Sequence, residues 1–233
     1  MTITEGVHTI ESLGIGRAYI YQEQDRLTLI DTGLPGSAER VFAVVEKIGR
    51  KPQNVKQIFV THHHHDHTGS LADIIEQSGA QVLAHKIEAP VIRGDQEPHP
   101  PAMSGLRRVL QPVLSNATQQ AAAARVDREL EDGDQVDLGG GAIVLHVPGH
   151  TMGSVALFIP KHKMLFAGDA AVSTLGLGPP SGPFGLFNED SEQAVLSFKK
   201  LAALEFDVAF FGHGKPMDRA ASILFRRAAE HLD

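Results

Sequence analysis

Between Val60 and Ser70 the sequence reads VTHHHHDHTGS, which places five histidines and one aspartate in the six positions 62–67. A packed core has little use for so much imidazole. A metal site does, because neutral imidazole and carboxylate are nitrogen and oxygen ligands suited to zinc, manganese and iron. The apolar run before the cluster, VKQIFVT, reads as a strand. Alternate side chains of an extended segment share a face, so His62 and His64 point one way and His63 the other. Two nitrogens on one side can hold one ion. Asp66 and His67 follow where the chain begins to turn toward Thr68-Gly69-Ser70, and they address a neighbouring position from another angle. His63 and His65 are expected to face away from the ions or to support the ligands, and they stay outside the set. The run is internal, between a strand and a helix start, and is not a purification tag.

The same residue types recur at later strand ends. The pattern AIVLHVPG leads to His150, LFAG to Asp169 and AFFG to His213. In sheets flanked by helices, ligands gather beyond the carboxyl ends of the strands, so these positions are expected to converge. Counting donors assigns His62, His64 and His150 to one ion and Asp66, His67 and His213 to a second, with Asp169 able to bridge the two. The expected cofactors are two divalent ions per chain, zinc first, with manganese or iron as alternatives. His8, His85, His99, His146, His162 and His231 show no such pattern and read as ordinary surface or core histidines. Asp31, before Thr32 and Gly33, is expected to bond loop amides near the site.

The elements that must position these groups follow from apolar periodicity. RLTLIDTG reads as a strand, residues 37–49 as a helix, and VKQIFVT as a second strand. Leu71, Ile74 and Ile75 mark a short helix stopped by Gly79, and AQVLAH a third strand. From about 94 to 124 the pattern degrades into a helical insertion with two small helices, 106–113 and 117–124. A turn-rich hairpin region, DRELEDGDQVDLGGG, precedes the strands AIVLHV, SVALFIP and KMLFAG. The Gly- and Pro-rich stretch STLGLGPPSGPFGLF is long enough to be a functional loop. A helix over 188–204, the strand DVAFFG and a closing helix over 217–231 complete the chain. Two stacked sheets with helices outside would use this composition, as one domain spanning 1–233.

Composition excludes several classes. With no cysteine among 233 residues, any metal is held by nitrogen and oxygen, and no disulfide is possible. A net charge of −7 with dispersed Lys and Arg opposes nucleic-acid binding. The first residues lack a signal-peptide pattern, and no run approaches a membrane span. The expectation is a cytoplasmic protein with a small-molecule substrate and neither nucleic acid nor membrane as partner.

Together, THHHHDHTG, VPGHTMGS, FAGD and FGHG resemble, in order, the His-x-His-x-Asp-His signature and later ligand motifs of the metallo-β-lactamase superfamily. The resemblance runs from LIDTG to GHGKP, and it is closest to the glyoxalase II and lactonase-like branch. It implies the four-layer αβ/βα sandwich of two mixed β-sheets flanked by helices, a dinuclear metal centre, and hydrolysis. The departures narrow the choice. β-Lactamases of this fold typically use a cysteine or lack the bridging aspartate, whereas Asp169 is present here. Glyoxalase II carries a helical glutathione domain where this sequence has 20 residues after His213. Homoserine-lactone lactonases carry a tyrosine after the bridging aspartate, but Tyr19 and Tyr21 are the only tyrosines. The family's tRNA nucleases carry a separate RNA-binding arm, for which no basic segment is seen.

The expected activity is a metal-dependent hydrolase in which a metal-bridging hydroxide attacks a carboxylic ester, lactone or thioester, with Asp66 as the catalytic residue that orients it and takes its proton. The alternatives are a mononuclear iron oxidoreductase resembling the persulfide dioxygenases, and a β-lactam hydrolase. Phe184 and Phe187, with Met103, Leu106 and Leu110 of the insertion, are expected to line the substrate pocket.

Overall fold

The computed structural model of the chain describes residues 2–4, 6–10, 16–99, 121–173, 180–182 and 187–232. These fall into two compact units: residues up to 98 with 121–129, and residue 99 with 130–232.

The first unit is built on a seven-stranded sheet in sequential order. It begins with β1 (Thr2–Thr4), β2 (Val7–Ile10), β3 (Ala18–Gln22) and β4 (Leu27–Ile30), each antiparallel to the one before it. Helix α1 (Ala38–Lys47) then carries the chain to β5 (Val55–Phe59), parallel to β4. The short α2 (His65–Thr68) and α3 (Leu71–Ser78) lead to β6 (Gln81–His85), parallel to β5, followed by α4 (Ala89–Arg93) and β7 (Arg128–Leu130). Parallel neighbours require such crossovers, because a tight hairpin can only reverse the chain.

Periodicity sets what each element buries. Helix α1 buries Ala38, Val41, Phe42 and Val45, spaced as one helical face, and α3 buries Leu71, Ile74 and Ile75. Both pack on Ile20, Leu29, Ile58 and Val82, the strand residues of the same core. Their alternates Tyr19, Ile30, Phe59 and Leu83 are buried as well, so both sheet faces are covered. Helix α3 stops at Gly79, whose φ of 70° is the left-handed cap conformation.

The second unit holds a five-stranded sheet, order β12-β11-β10-β9-β8. Its strands are β8 (Gln135–Val136), β9 (Ala142–His146), β10 (Val155–Ile159), β11 (Met164–Phe166) and β12 (Val208–Phe210), with only the β11–β12 pair parallel. Between these two run a 3-10 turn (Gly168–Ala170) and α5 (Ser191–Ala202); α6 (Ala221–Ala229) follows. Asp190 caps α5 by accepting from the Gln193 amide at 3.0 Å. Helices α5 and α6 pack on Ala156, Leu165 and Ala209 of the sheet, and Phe225 of α6 is central to that core. Its ring stacks on Phe198 at 5.1 Å and meets Phe206 edge-on at 5.1 Å.

From β4 onward, the strands and the longer helices fall where the periodicity predicts, with ends shifted by a few residues, whereas the short α2 and α4 carry no expectation from the sequence. The three N-terminal strands carry no expectation from the sequence, because runs of three to five residues are too short for period-two alternation to stand out. The helix expected at 106–113 and the first part of that expected at 117–124, with Met103, Leu106, Leu110 and Phe184, lie outside the described residues, and residues 121–124 are not helical.

Phe225→Ala is expected to destabilise the protein by about 3–5 kcal/mol, because a fully buried aromatic in a ring cluster leaves a cavity. Ile223→Ala on the same helix, where the side chain is exposed, should stay within about 0.5 kcal/mol. Urea unfolding of the two variants measures the contrast, and equal losses would contradict the core described.

Candidate metal centre

In the first unit the histidine cluster hangs on two loops that grip each other. Strand β4 ends because Asp31 leaves the extended region, with φ 58°, a left-handed conformation that aspartate tolerates better than most residues. This turns its carboxylate, 2% exposed, toward the segment after β5. Asp31 Oδ1 accepts the Thr61 amide at 2.8 Å, and Oδ2 accepts the Thr61 hydroxyl at 2.8 Å. The same Oδ2 lies 2.8 Å from His67 Nδ1. Next to it, Thr32 donates to the carbonyl of His67 through its amide at 2.7 Å and its hydroxyl at 2.8 Å. Ser70 closes the clamp, donating to Leu34 O and accepting from Ser37 N, both at 2.7 Å. Gly69 sits so close to Pro35 that a Cβ there would lie 2.3 Å from the ring.

These contacts assign protons. An ionised carboxylate only accepts, so His67 donates from Nδ1 and its lone pair is on Nε2. The Thr61 hydroxyl has one proton, directed at Asp31, so toward His62 Nδ1 at 3.1 Å it acts as acceptor. His62 therefore also carries its proton on Nδ1 and its lone pair on Nε2. That Nε2 faces His64 Nδ1 at 3.1 Å, and His67 Nε2 lies 3.6 Å from Asp66 Oδ2. Donor atoms of His62 and His64, of His62 and His67, and of Asp66 and His67 lie within 4.8 Å of one another. Asp66 is 8% exposed and backed by Gly16, where a Cβ would come within 2.8 Å of its carbonyl.

The second unit assembles the other three candidates. His150 follows Gly149, whose φ is 128° and where a Cβ would lie 2.3 Å from Ala194 N, so only glycine lets this loop pack on α5. His150 Nδ1 lies 3.3 Å from Asn188 Oδ1, which directs the Nε2 lone pair to the other side. Asp169 sits in the 3-10 turn after β11. Its Oδ2 is 3.4 Å from His150 Nε2 and 3.1 Å from His213 Nε2, so one carboxylate oxygen serves two imidazoles. His213 follows β12, held by Ser173 N donating to its carbonyl at 3.2 Å. At Gly214 a Cβ would meet Ser173 O at 1.7 Å, which no side chain survives.

Each unit thus gathers its own candidates: His62, His64, Asp66 and His67 in the first, His150, Asp169 and His213 in the second. Phe187 is half-buried. The sequence reading did not find Thr61 or Asn188, which orient ring nitrogens, nor Glu88, which contacts His63. A threonine in a strand and an asparagine near a helix start carry no chemical signal of their own. Asp31 accepts a loop amide, as expected, but also orients two histidines.

The sequence profile of the metallo-beta-lactamase superfamily matches residues 12–213. The chain is 31% identical over 229 residues to a probable metallo-hydrolase, YflN, of Bacillus subtilis, covering 91% of this chain and 85% of that protein. It is 28% identical over 191 residues to a hydroxyacylglutathione hydrolase of Rhizobium meliloti, covering 81% of this chain but only 59% of that enzyme. Among solved structures it is similar to the subclass B3 metallo-beta-lactamase BJP-1 of Bradyrhizobium japonicum, with TM-score 0.73, 23% identity, and coverage of 100% and 89%. A metallo-beta-lactamase family protein of Thermus thermophilus aligns with TM-score 0.72 and 21% identity over 99% of this chain and 80% of that one. These structural likenesses establish the fold: two mixed β-sheets flanked by helices, as the sequence predicts.

Asp31→Ala would strand the Thr61 amide and the His67 ring proton and leave alanine in a left-handed conformation. The expected loss is about 2–5 kcal/mol in urea unfolding. Asp31→Asn keeps one acceptor oxygen and a residue that tolerates this φ, and should lose less than half as much. A loss below about 1 kcal/mol for Asp31→Ala would mean that the carboxylate does not organise the loops.

Proposed function

Since the chain belongs to the metallo-beta-lactamase superfamily and is related to metallo-hydrolases, we propose that it hydrolyses a carboxylic ester, lactone or thioester with two divalent ions, zinc first. His62, His64 and His150 would hold one ion and Asp66, His67 and His213 the other, with Asp169 shared. The observation that carries the reading is the orientation of the imidazoles. His62, His67 and His150 each have Nδ1 committed to a neighbouring oxygen, which is how proteins prepare an Nε2 ligand. The donors are all nitrogen and oxygen, a set that zinc, manganese and iron accept.

When bound, two such ions would lower the pKa of water toward neutrality and polarise a carbonyl, which would supply nucleophile and electrophile at neutral pH. The protein's own part is orientation and proton transfer. Asp66, with two oxygens and a position beside His67, is placed to take a proton from the attacking water and pass it to the leaving group. No serine or cysteine nucleophile is needed. The rival reading, a single-iron oxygenase that leaves the second ligand set empty, is separated from this one by metal content.

Selectivity has to come from the pocket, for which Phe184 and Phe187 are the proposed apolar lining. The stretch 175–187 that carries them consists mainly of Gly, Pro, Leu and Phe and has no Lys or Arg, so substrates that depend on a carboxylate clamp gain little from it. Neutral small molecules are the proposed substrates, and the cytoplasm the proposed location. No helix of the described residues is long and apolar enough to cross a membrane.

Metal analysis coupled to a kinetic panel tests this. Zinc- or manganese-loaded protein is expected to hydrolyse aryl esters or lactones with higher kcat/KM than penicillins, cephalosporins or glutathione thioesters. Asp66→Asn should lower kcat by about 10²–10⁴-fold. β-Lactam turnover above ester and lactone turnover would show the substrate class to be wrong. One iron per chain with oxygen uptake would show the reaction to be wrong. His64→Ala should release chiefly one ion and His213→Ala chiefly the other, so equal depletion of both by either change would count against the assignment.

A further inference from the structure

Glu88 and His63 belong to neither proposed ligand set, yet they are bound closely. Glu88 immediately precedes α4 and is 1% exposed. Its Oε2 accepts the backbone N–H of His63 at 2.7 Å and lies 2.5 Å from His63 Nδ1. A carboxylate so deeply buried is tolerable only when its oxygens are engaged, and here one oxygen takes both the amide and the ring of the same residue. The other end of that residue is held too. Thr68 Oγ1 lies 2.9 Å from His63 O and 3.1 Å from His64 O, with its proton directed at these carbonyls.

The consequence lies on either side. His63 is in neither strand nor helix, so no ladder of backbone bonds fixes its φ and ψ. Those two angles set how His62 and His64 are turned relative to each other, and the two rings meet through nitrogens 3.1 Å apart. With its N–H tied to Glu88 and its C=O to Thr68, His63 is immobilised from both ends. The ring bond to the same oxygen adds a third restraint. Ligand nitrogens held in advance spare an incoming ion the cost of ordering them.

We propose that Glu88 is a positioning residue for the His62–His64 ligand pair, gripping His63 through backbone and ring so that the two flanking nitrogens are preset for one ion. The proposal rests on the reading of His62 and His64 as ligands. It gives the second histidine of the run a task that is not metal binding.

The test is zinc affinity, measured by competition with a chromophoric chelator, alongside urea unfolding of the zinc-free protein. Glu88→Ala is expected to weaken one of two zinc sites about 10–100-fold while the other keeps its affinity. Glu88→Gln keeps an acceptor oxygen and should stay within about threefold of the parent. His63→Ala keeps the amide bond, loses the ring bond, and should fall between. A merely structural role would lower zinc-free stability and leave zinc affinity unchanged, which would overturn the proposal. Should Glu88→Ala fail to fold, His63→Ala decides, since parental affinity in that variant also overturns it. If the parent protein binds no zinc, the ligand assignment itself falls. If it binds two ions and Glu88→Ala binds both as tightly, only the role of Glu88 falls.

Discussion

The Asp31 carboxylate is the interaction on which the first unit's chemistry depends. It stands at the end of a strand in a conformation that costs backbone energy, and the return is a buried acceptor facing the next parallel strand. Two oxygens receive an amide, a hydroxyl and a ring N–H, and from that allocation the proton positions of His62 and His67 both follow. Removing the carboxylate would free the rings to take either tautomer, and a ligand nitrogen carrying a proton is no ligand. Geometry and protonation are therefore set by one group, which touches neither the proposed ions nor a substrate.

The second unit reaches a comparable result by different means. There close backbone approach replaces a central carboxylate: Gly149 lets the His150 loop lie on α5, and Gly214 lets the His213 loop lie on Ser173. Asn188 does for His150 what Asp31 does for His67, with a neutral amide oxygen at a longer distance. Backbone held by backbone is hard to mutate one side chain at a time, except at the glycines. In both units the loops after the strands are fixed to their neighbours before any ligand is considered, so the site residues inherit the rigidity of the sheets.

Much of this was legible in the sequence, and the reasons are specific. Most of the longer strands from β4 onward are rich in buried apolar residues, and their runs end visibly at Asp31, His62, Asp169 and His213. The candidate donors could be picked out because imidazole and carboxylate are rare at strand ends without a task. The N-terminal strands were not legible, being three to five residues long and held by neighbours rather than by their own pattern. The supporting residues were not legible either. Thr61, Glu88 and Asn188 matter through where their oxygens point, and direction is a product of tertiary structure. The role of His63 shows the limit most clearly, since four consecutive histidines look alike until the partner of each ring is known.

The bonds from Asp31 to Thr61 and His67 span 30 and 36 residues and exist only once β4 and β5 lie side by side. Parallel pairing across a helical crossover belongs to the slower events of folding, because the connecting chain must be ordered before the contact is gained. The histidine loop would accordingly acquire its shape late, with the sheet, and with its protons already allocated. An ion arriving then meets a finished receptor. This is the reverse of a zinc finger, in which the metal calls the fold into being. If the proposed ions are required, metal supply would govern when the molecule becomes active, while its folding proceeds on its own clock.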